Sequence, residues 1–281
     1  MPVAVVTDST AYLPVDLAGS RGLTVVPLTV VLNGTEGLEG VEVFPGDAIR
    51  ALGGRRVTVS TSRPAPEQFA RTYRRLLAEG ADAVLSVHLS AELSGTVDSA
   101  RLAAAEVGNR VAVVDSRSTG MGLGFPALAA AAAAARGADL DRVRRTALDA
   151  VDRTRMFFYV DTLEFLRRGG RINAAAALLG TALSVKPIMH MVDGSIVLRD
   201  RVRTASRGVA RLVDLAVEAA DTDEVDVAVH HLDAPQRADQ FLQALSARLG
   251  DRLRDAYVSE AGAVVAAHAG PGLACVVVHR R

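Results

Sequence analysis

The sequence predicts an α/β fold of two domains, the first built on a mostly parallel sheet and the second on a mixed one. Three observations predict it. Short apolar runs bounded by Gly, Pro, Ser or Asp alternate with longer helical patterns. That alternation favours parallel strands with helices packed across them. The composition changes near Arg155 and a hairpin signal follows, which places the domains at 1–155 and 156–281. With 281 residues the chain is long enough for a sizeable core in each.

In the first domain, residues 3–7 read as a buried strand ended by Asp8-Ser9-Thr10, and Leu13-Pro14 opens a short helix with proline in its first turn. The run 23–32 reads as a second strand and 34–40 as a loop. A short helix over 45–52 is stopped by Gly53-Gly54. Strand 57–61 ends in Thr61-Ser62-Arg63-Pro64. Pro64 and Pro66 open a helix over 65–79, which puts Phe69, Tyr73, Leu76 and Leu77 on one face. Strand 83–87 follows, then the turn Leu93-Ser94-Gly95-Thr96 and a helix over 96–107. Ser94 is placed as the N-cap of that helix, because its hydroxyl can accept from a first-turn N–H. Strand 111–115 precedes an alanine-rich helix over 121–136, whose thin side chains suit close backbone packing, and another helix covers 140–153.

The second domain begins with strand 156–160. Asp161-Thr162 caps a helix over 163–168, and Gly169-Gly170 breaks it. A helix is expected near 174–181. Strands 185–191 and 196–202 flank Asp193-Gly194, a hairpin turn. Thr204 caps a helix reaching about residue 220. Strand 225–230, helix 235–249 and strands 256–259 and 274–279 complete the chain. The segment 266–272, which holds His268, reads as a loop between the last two strands.

Composition narrows the function. A formal net charge of +0 gives no electrostatic footprint for nucleic acid. Lys186 is the only lysine, so the cationic surface is arginine. Cys275 is the only cysteine; it forms no internal disulfide and reads as a small buried hydrophobe. No leader pattern follows Met1-Pro2 and no apolar run reaches membrane-span length. A cytoplasmic protein without stable membrane insertion is expected. The only Lys-containing segment, Lys186-Pro187, is not a phosphate-binding P-loop. The run 120–125 lacks the third glycine of a dinucleotide fingerprint and reads as close helix packing. The six histidines have no cysteine partners and no tight ligand spacing, so neither a metal nor a cofactor is expected.

Asp8-Ser9, Thr61-Ser62 and the Ser94 turn each follow a predicted strand. Open α/β sheets bind ligands beyond the carboxyl ends of their strands, so these groups could meet in one crevice. Ser94, Gly95 and Thr96 offer hydroxyls, backbone N–H groups and a positive helix end, which suit an anion; the same residues also suit an ordinary cap. His268 is either a solvent-facing histidine or a donor to that anion. Ser94 with His268 is also a nucleophile–base pair, although Glu92 stands where a nucleophile elbow needs glycine. Arginines 167, 168 and 171, and 199, 201, 203 and 207, are either solvated or a partner-docking surface.

Seven segments then line up in order: Val6-Thr7-Asp8-Ser9-Thr10, Thr61-Ser62-Arg63-Pro64, Leu93-Ser94-Gly95-Thr96, the run 162–172, Lys186-Pro187-Ile188, Arg203-Thr204 and His268-Ala269-Gly270-Pro271-Gly272. Together they resemble the DegV family of bacterial fatty acid-binding proteins, also called fatty acid kinase B subunits, along essentially the whole chain. Asn173-Ala174 departs from the pattern. The resemblance implies two α/β domains with a long-chain fatty acid between them. It implies a carboxylate held by Thr61, Ser94 and His268, with Ser62, Gly95 and Thr96 close by. It implies no catalytic residue in this chain, and a separate ATP-dependent fatty acid kinase whose acyl-phosphate product feeds phospholipid synthesis. Arg171 and Arg203 are the candidates for docking that kinase. The alternative is a serine-dependent acyl hydrolase or transferase using Ser94 and His268.

Overall fold

The computed structural model describes residues 2–53, 58–172 and 186–281. Its first sheet is wholly parallel, in the order β2-β1-β6-β7, from β1 (Val3–Asp8), β2 (Leu23–Val26), β6 (Ala83–His88) and β7 (Val111–Asp115). A small antiparallel sheet, β4-β3-β5, comprises β3 (Thr29–Leu32), β4 (Thr35–Leu38) and β5 (Val59–Ser62). The third sheet is mixed. It holds β8 (Thr154–Tyr159), β9 (Lys186–Val192), β10 (Ser195–Val202), β11 (Val225–His231), β12 (Leu253–Glu260) and β13 (Ala274–Arg280), ordered β10-β9-β8-β13-β11-β12. Only β11 and β12 pair in parallel there.

Strand alternation sorts the core into layers. In β8, Phe157 and Tyr159 face α8 (Ala205–Ala220) and α9 (Pro235–Leu249), whereas Met156 and Phe158 face the opposite way. In β1, Val6 faces α3 (Pro66–Ala78) and α4 (Thr96–Val107), whereas Val3 and Val5 face inward. The two inward faces meet around α5 (Met121–Ala135), which α6 (Leu140–Asp152) covers on one side. The alanines of α5 let it touch β1 and β6 of one sheet and β8 and β13 of the other. The glycine-rich run at its start serves packing: a Cβ on Gly124 would lie 3.2 Å from Leu13 and 3.3 Å from the Ala11 carbonyl.

Several local expectations are corrected. The run 23–32 is two strands in different sheets, because Pro27 has no N–H to continue a ladder. The expected loop at 34–40 contains β4. Asn33 and Gly34 both take positive φ, 53° and 83°, which closes a tight β3–β4 hairpin. Leu13-Pro14 does not open a helix. The Asp8 carboxylate draws residues 9–11 into a 3-10 turn at once, and α1 (Leu17–Ser20) starts later, beyond Asp16. Gly95, not Ser94, is the N-cap of α4. His268 lies on α10 (Ala263–Ala269), not in a loop. The helix expected near 174–181 lies outside the described residues.

Asp8 is the most heavily bonded buried group. It accepts from Thr10 N at 3.0 Å, Thr10 Oγ1 at 2.6 Å and Leu89 N at 3.0 Å, and His88 Nδ1 lies 3.0 Å from it. His88 Nε2 meets Ser86 Oγ at 2.6 Å, and Tyr73 OH donates to Ser86 at 2.8 Å. Ser86, His88 and Asp8 have the connectivity of a hydrolase triad. All three are wholly buried and Tyr73 covers the serine, so the row pins β1, β6 and α3 together without reaching the cleft.

Other buried histidines set a pH limit on stability. Burial first, and neighbouring positive charge for two of them, pushes His230, His268 and His279 down to about 4. Each binds a proton more readily when unfolded, with a pKa of about 6.5. Their contribution is therefore complete above pH ~6.5 and is lost as pH falls through the window down to about 4. Each is expected to cost about 2 kcal/mol of stability at pH ~5. Urea midpoints measured across that window check it; constant stability would contradict the burial of these rings.

Candidate ligand-binding site

A cleft of about 900 Å³, its mouth included, opens between the parallel and mixed sheets. Leu28, Leu89 and Leu93 form one wall. Met156, Phe158, Leu166, Met191, Ile196 and Leu273 form the other. The walls follow from sequence pattern: alternate residues of β8 point inward, and Leu89 and Leu93 bracket the turn after β6. Cys275 also lines the cleft, buried as expected, with its thiol pushed up by burial.

One corner is polar. Thr61 and Ser62 come from the end of β5, Arg63 follows, Ser94 comes from the β6–α4 turn, Arg171 from the segment after α7 (Glu164–Arg168), and His268 from α10. Thr61 Oγ1 lies 2.8 Å from His268 Nε2, so residues 207 apart in sequence meet here. His268 Nδ1 is buried without a hydrogen-bond partner. Burial, then the Arg171 charge, lowers this histidine to about 4, so its ring is neutral at pH 7. Arg171 Nε donates to the Leu93 carbonyl at 3.1 Å, which ties down the turn carrying Ser94. The Arg63 guanidinium lies against Gly95, where any side chain would collide with it. Thr96 is wholly buried, and its Oγ1 is 2.9 Å from Ser94 Oγ.

The structure thus brings Thr61, Ser62, Ser94 and His268 to one cleft. Gly95 and Thr96 stand behind Ser94 and do not line it. Arg171, proposed for docking, lines the corner, whereas Arg203 is exposed just past β10 and away from it. The hydroxyl of Ser94 pairs with Thr96, and His268 pairs with Thr61. Sequence reasoning passed over Arg63, although it lay inside the Thr-Ser-Arg-Pro segment. It also missed Tyr12 and His230, which line the cleft beyond the corner. His230 Nε2 accepts from Met121 N at 2.8 Å, and its Nδ1 meets Ser259 Oγ at 3.0 Å. A corner of hydroxyls, a neutral imidazole and two guanidinium groups, opening on apolar walls, can take an apolar chain with an anionic end.

A family model described as "Uncharacterised protein, DegV family" matches residues 2–281. The chain belongs to the DegV family. A DegV domain-containing protein of Streptomyces coelicolor is 52% identical over 282 residues, covering 99% of each chain. Among solved structures, a DegV family protein from Thermus thermophilus, described by its fatty acid binding, superposes with a TM-score of 0.92 at 36% identity over 100% of both chains. DegV of Bacillus subtilis, described as a fatty acid binding protein, gives 0.90 at 31% identity, again over 100% of both. The expected α/β architecture, a mostly parallel sheet followed by a mixed one, is the architecture of these DegV structures. Among the described residues, no group of three or more His, Cys, Asp or Glu could hold a metal ion, and no helix is long and apolar enough to cross a membrane.

Proposed function

We propose that this DegV protein binds a long-chain fatty acid in the cleft and presents its carboxylate to a separate ATP-dependent fatty acid kinase. The observation that carries the reading is the joining of apolar walls to a polar corner, where Thr61 meets His268. The fatty acid binding described for the Thermus and Bacillus relatives supports it. In this reading Thr61, Ser62, Ser94 and His268 hold the carboxylate, and Gly95 and Thr96 set the angle of Ser94. Arg63 and Arg171 supply positive potential, which keeps a carboxylate charged in a partly buried place. No residue of this chain performs the transfer: a carboxylate oxygen takes the terminal phosphoryl group of ATP, held with its metal on the kinase, leaving acyl phosphate and ADP. Arg203, exposed and clear of the cleft, remains a docking candidate. The acyl hydrolase alternative needs His268 on Ser94 and gains no support from a histidine engaged with Thr61.

Solvent extraction of the denatured protein followed by mass spectrometry tests the binding. One free fatty acid per chain is expected, and failure to take up added labelled fatty acid would defeat the reading. Trapping acyl phosphate with hydroxylamine, after adding a fatty acid kinase and ATP, checks the presenting step. Thr61→Val keeps the shape of the corner and removes one hydroxyl. It is expected to weaken fatty acid binding about tenfold, since a hydrogen bond to a charged group is worth ~1.5–3 kcal/mol. Titration calorimetry measures this, and unchanged affinity would remove Thr61 from the site.

A further inference from the structure

Glu39 is a charged side chain only 4% exposed, just beyond β4 and outside the cleft lining. Its carboxylate accepts from Ser9 Oγ, from Tyr12 OH at 3.1 Å and from Val264 N at 2.7 Å. Tyr12 OH in turn accepts from Val265 N at 3.1 Å. Val264 and Val265 belong to the first turn of α10, whose N–H groups have no partner within the helix. Side chains 225 and 253 positions earlier in the chain therefore satisfy them. Gly262, just before the helix, confirms that the approach is required: any side chain there would collide with Glu39 and Tyr12. His268 stands four residues beyond Val264, one helical turn on and on the same side. At that level α7 closes the other flank, where a side chain on Gly169 would strike His268.

We propose that Glu39, assisted by Tyr12, is a positioning residue for the head-group corner, fixing α10 so that His268 meets Thr61. The proposal rests on the fatty acid reading. A fixed acid suits the task, because a carboxylate bonded to backbone N–H groups holds them more tightly than a neutral acceptor and complements the positive end of the helix. It does so at a cost: burial pushes the Glu39 carboxyl up from its ordinary value. A carboxylate that bears that penalty, with donors from two segments far apart in the chain, is placed for geometry more than for stability.

The test compares palmitic acid with hexadecanol, which share a tail and differ at the head. Both are titrated into the full-length wild type, Glu39→Gln, Tyr12→Phe and Thr61→Val. A displaced His268 should weaken the acid about tenfold and the alcohol by less than about twofold, the pattern expected of Thr61→Val. Equal losses for acid and alcohol in Glu39→Gln would overturn the proposal, since a merely structural residue would affect both. Should Glu39→Gln fail to fold, Tyr12→Phe decides in the same way, because it removes one hydroxyl and leaves the carboxylate. A wild type that binds neither ligand would overturn the fatty acid reading itself, an outcome distinct from equal losses in the variants.

Discussion

Asp8→Ala is expected to lose about 3–5 kcal/mol of folding stability, the range for removing one partner of a buried, hydrogen-bonded charged group. The carboxylate serves two backbone N–H groups, the Thr10 hydroxyl and the His88 ring, and none of these can reach water instead. Alanine leaves four polar groups unpaired where each costs most. The effect should spread, because Thr10 lines the cleft and the Gly120 N–H bonds to its carbonyl at 2.7 Å, at the start of α5. Urea denaturation of the variant should show a lowered midpoint with an unchanged slope. A loss below ~1 kcal/mol would mean that neighbouring groups replace the carboxylate.

The second large effect concerns the ligand. Each methylene buried in the apolar walls contributes ~0.8 kcal/mol, or about a fourfold change in affinity. Dodecanoic acid, four methylenes shorter than palmitic acid, is therefore expected to bind roughly two hundredfold more weakly. A full sixteen-carbon tail would contribute at most roughly 12 kcal/mol, against ~1.5–3 kcal/mol for each hydrogen bond at the head. In the proposed reading the tail sets affinity and the corner sets orientation. Competition titration across a chain-length series measures the slope; an affinity independent of length would place the tail outside the cleft. Met156 and Met191 in the wall favour tolerance, because unbranched thioether side chains repack around different shapes.

Most of the regular elements were legible because their signals are local. Helix 235–249 and strand 111–115 match their sequence limits, and Thr204 caps its helix as its position suggests, accepting from Arg207 N. Misreadings arose where a second local signal was overlooked, at Pro27 and at Asn33-Gly34. The individual polar groups of the corner stood out in sequence, but their relations did not. No periodicity announces that Thr61 will meet His268, or that Glu39, in a stretch read as loop, will hold the helix that carries His268. Those pairings span more than 200 residues and are set by how the sheets stack. Ser94 is a local case instead: its hydroxyl pairs with Thr96, two residues on, and Gly95 takes the N-cap position.

The helix between the sheets changes what a domain means in this chain. The two halves have separate hydrogen-bond networks in their main sheets, yet their inward faces belong to one apolar cluster running through α5. Alanine side chains have no rotamers to lose, so burying most of such a helix between the sheets carries little entropic penalty. Split after residue 153, the first half would carry α5 with one flank bare, and the second would show water the inner faces of β8 and β13. The chain is divisible on paper at the change of sheet, but its halves share one apolar interior, with α5 packed against both sheets.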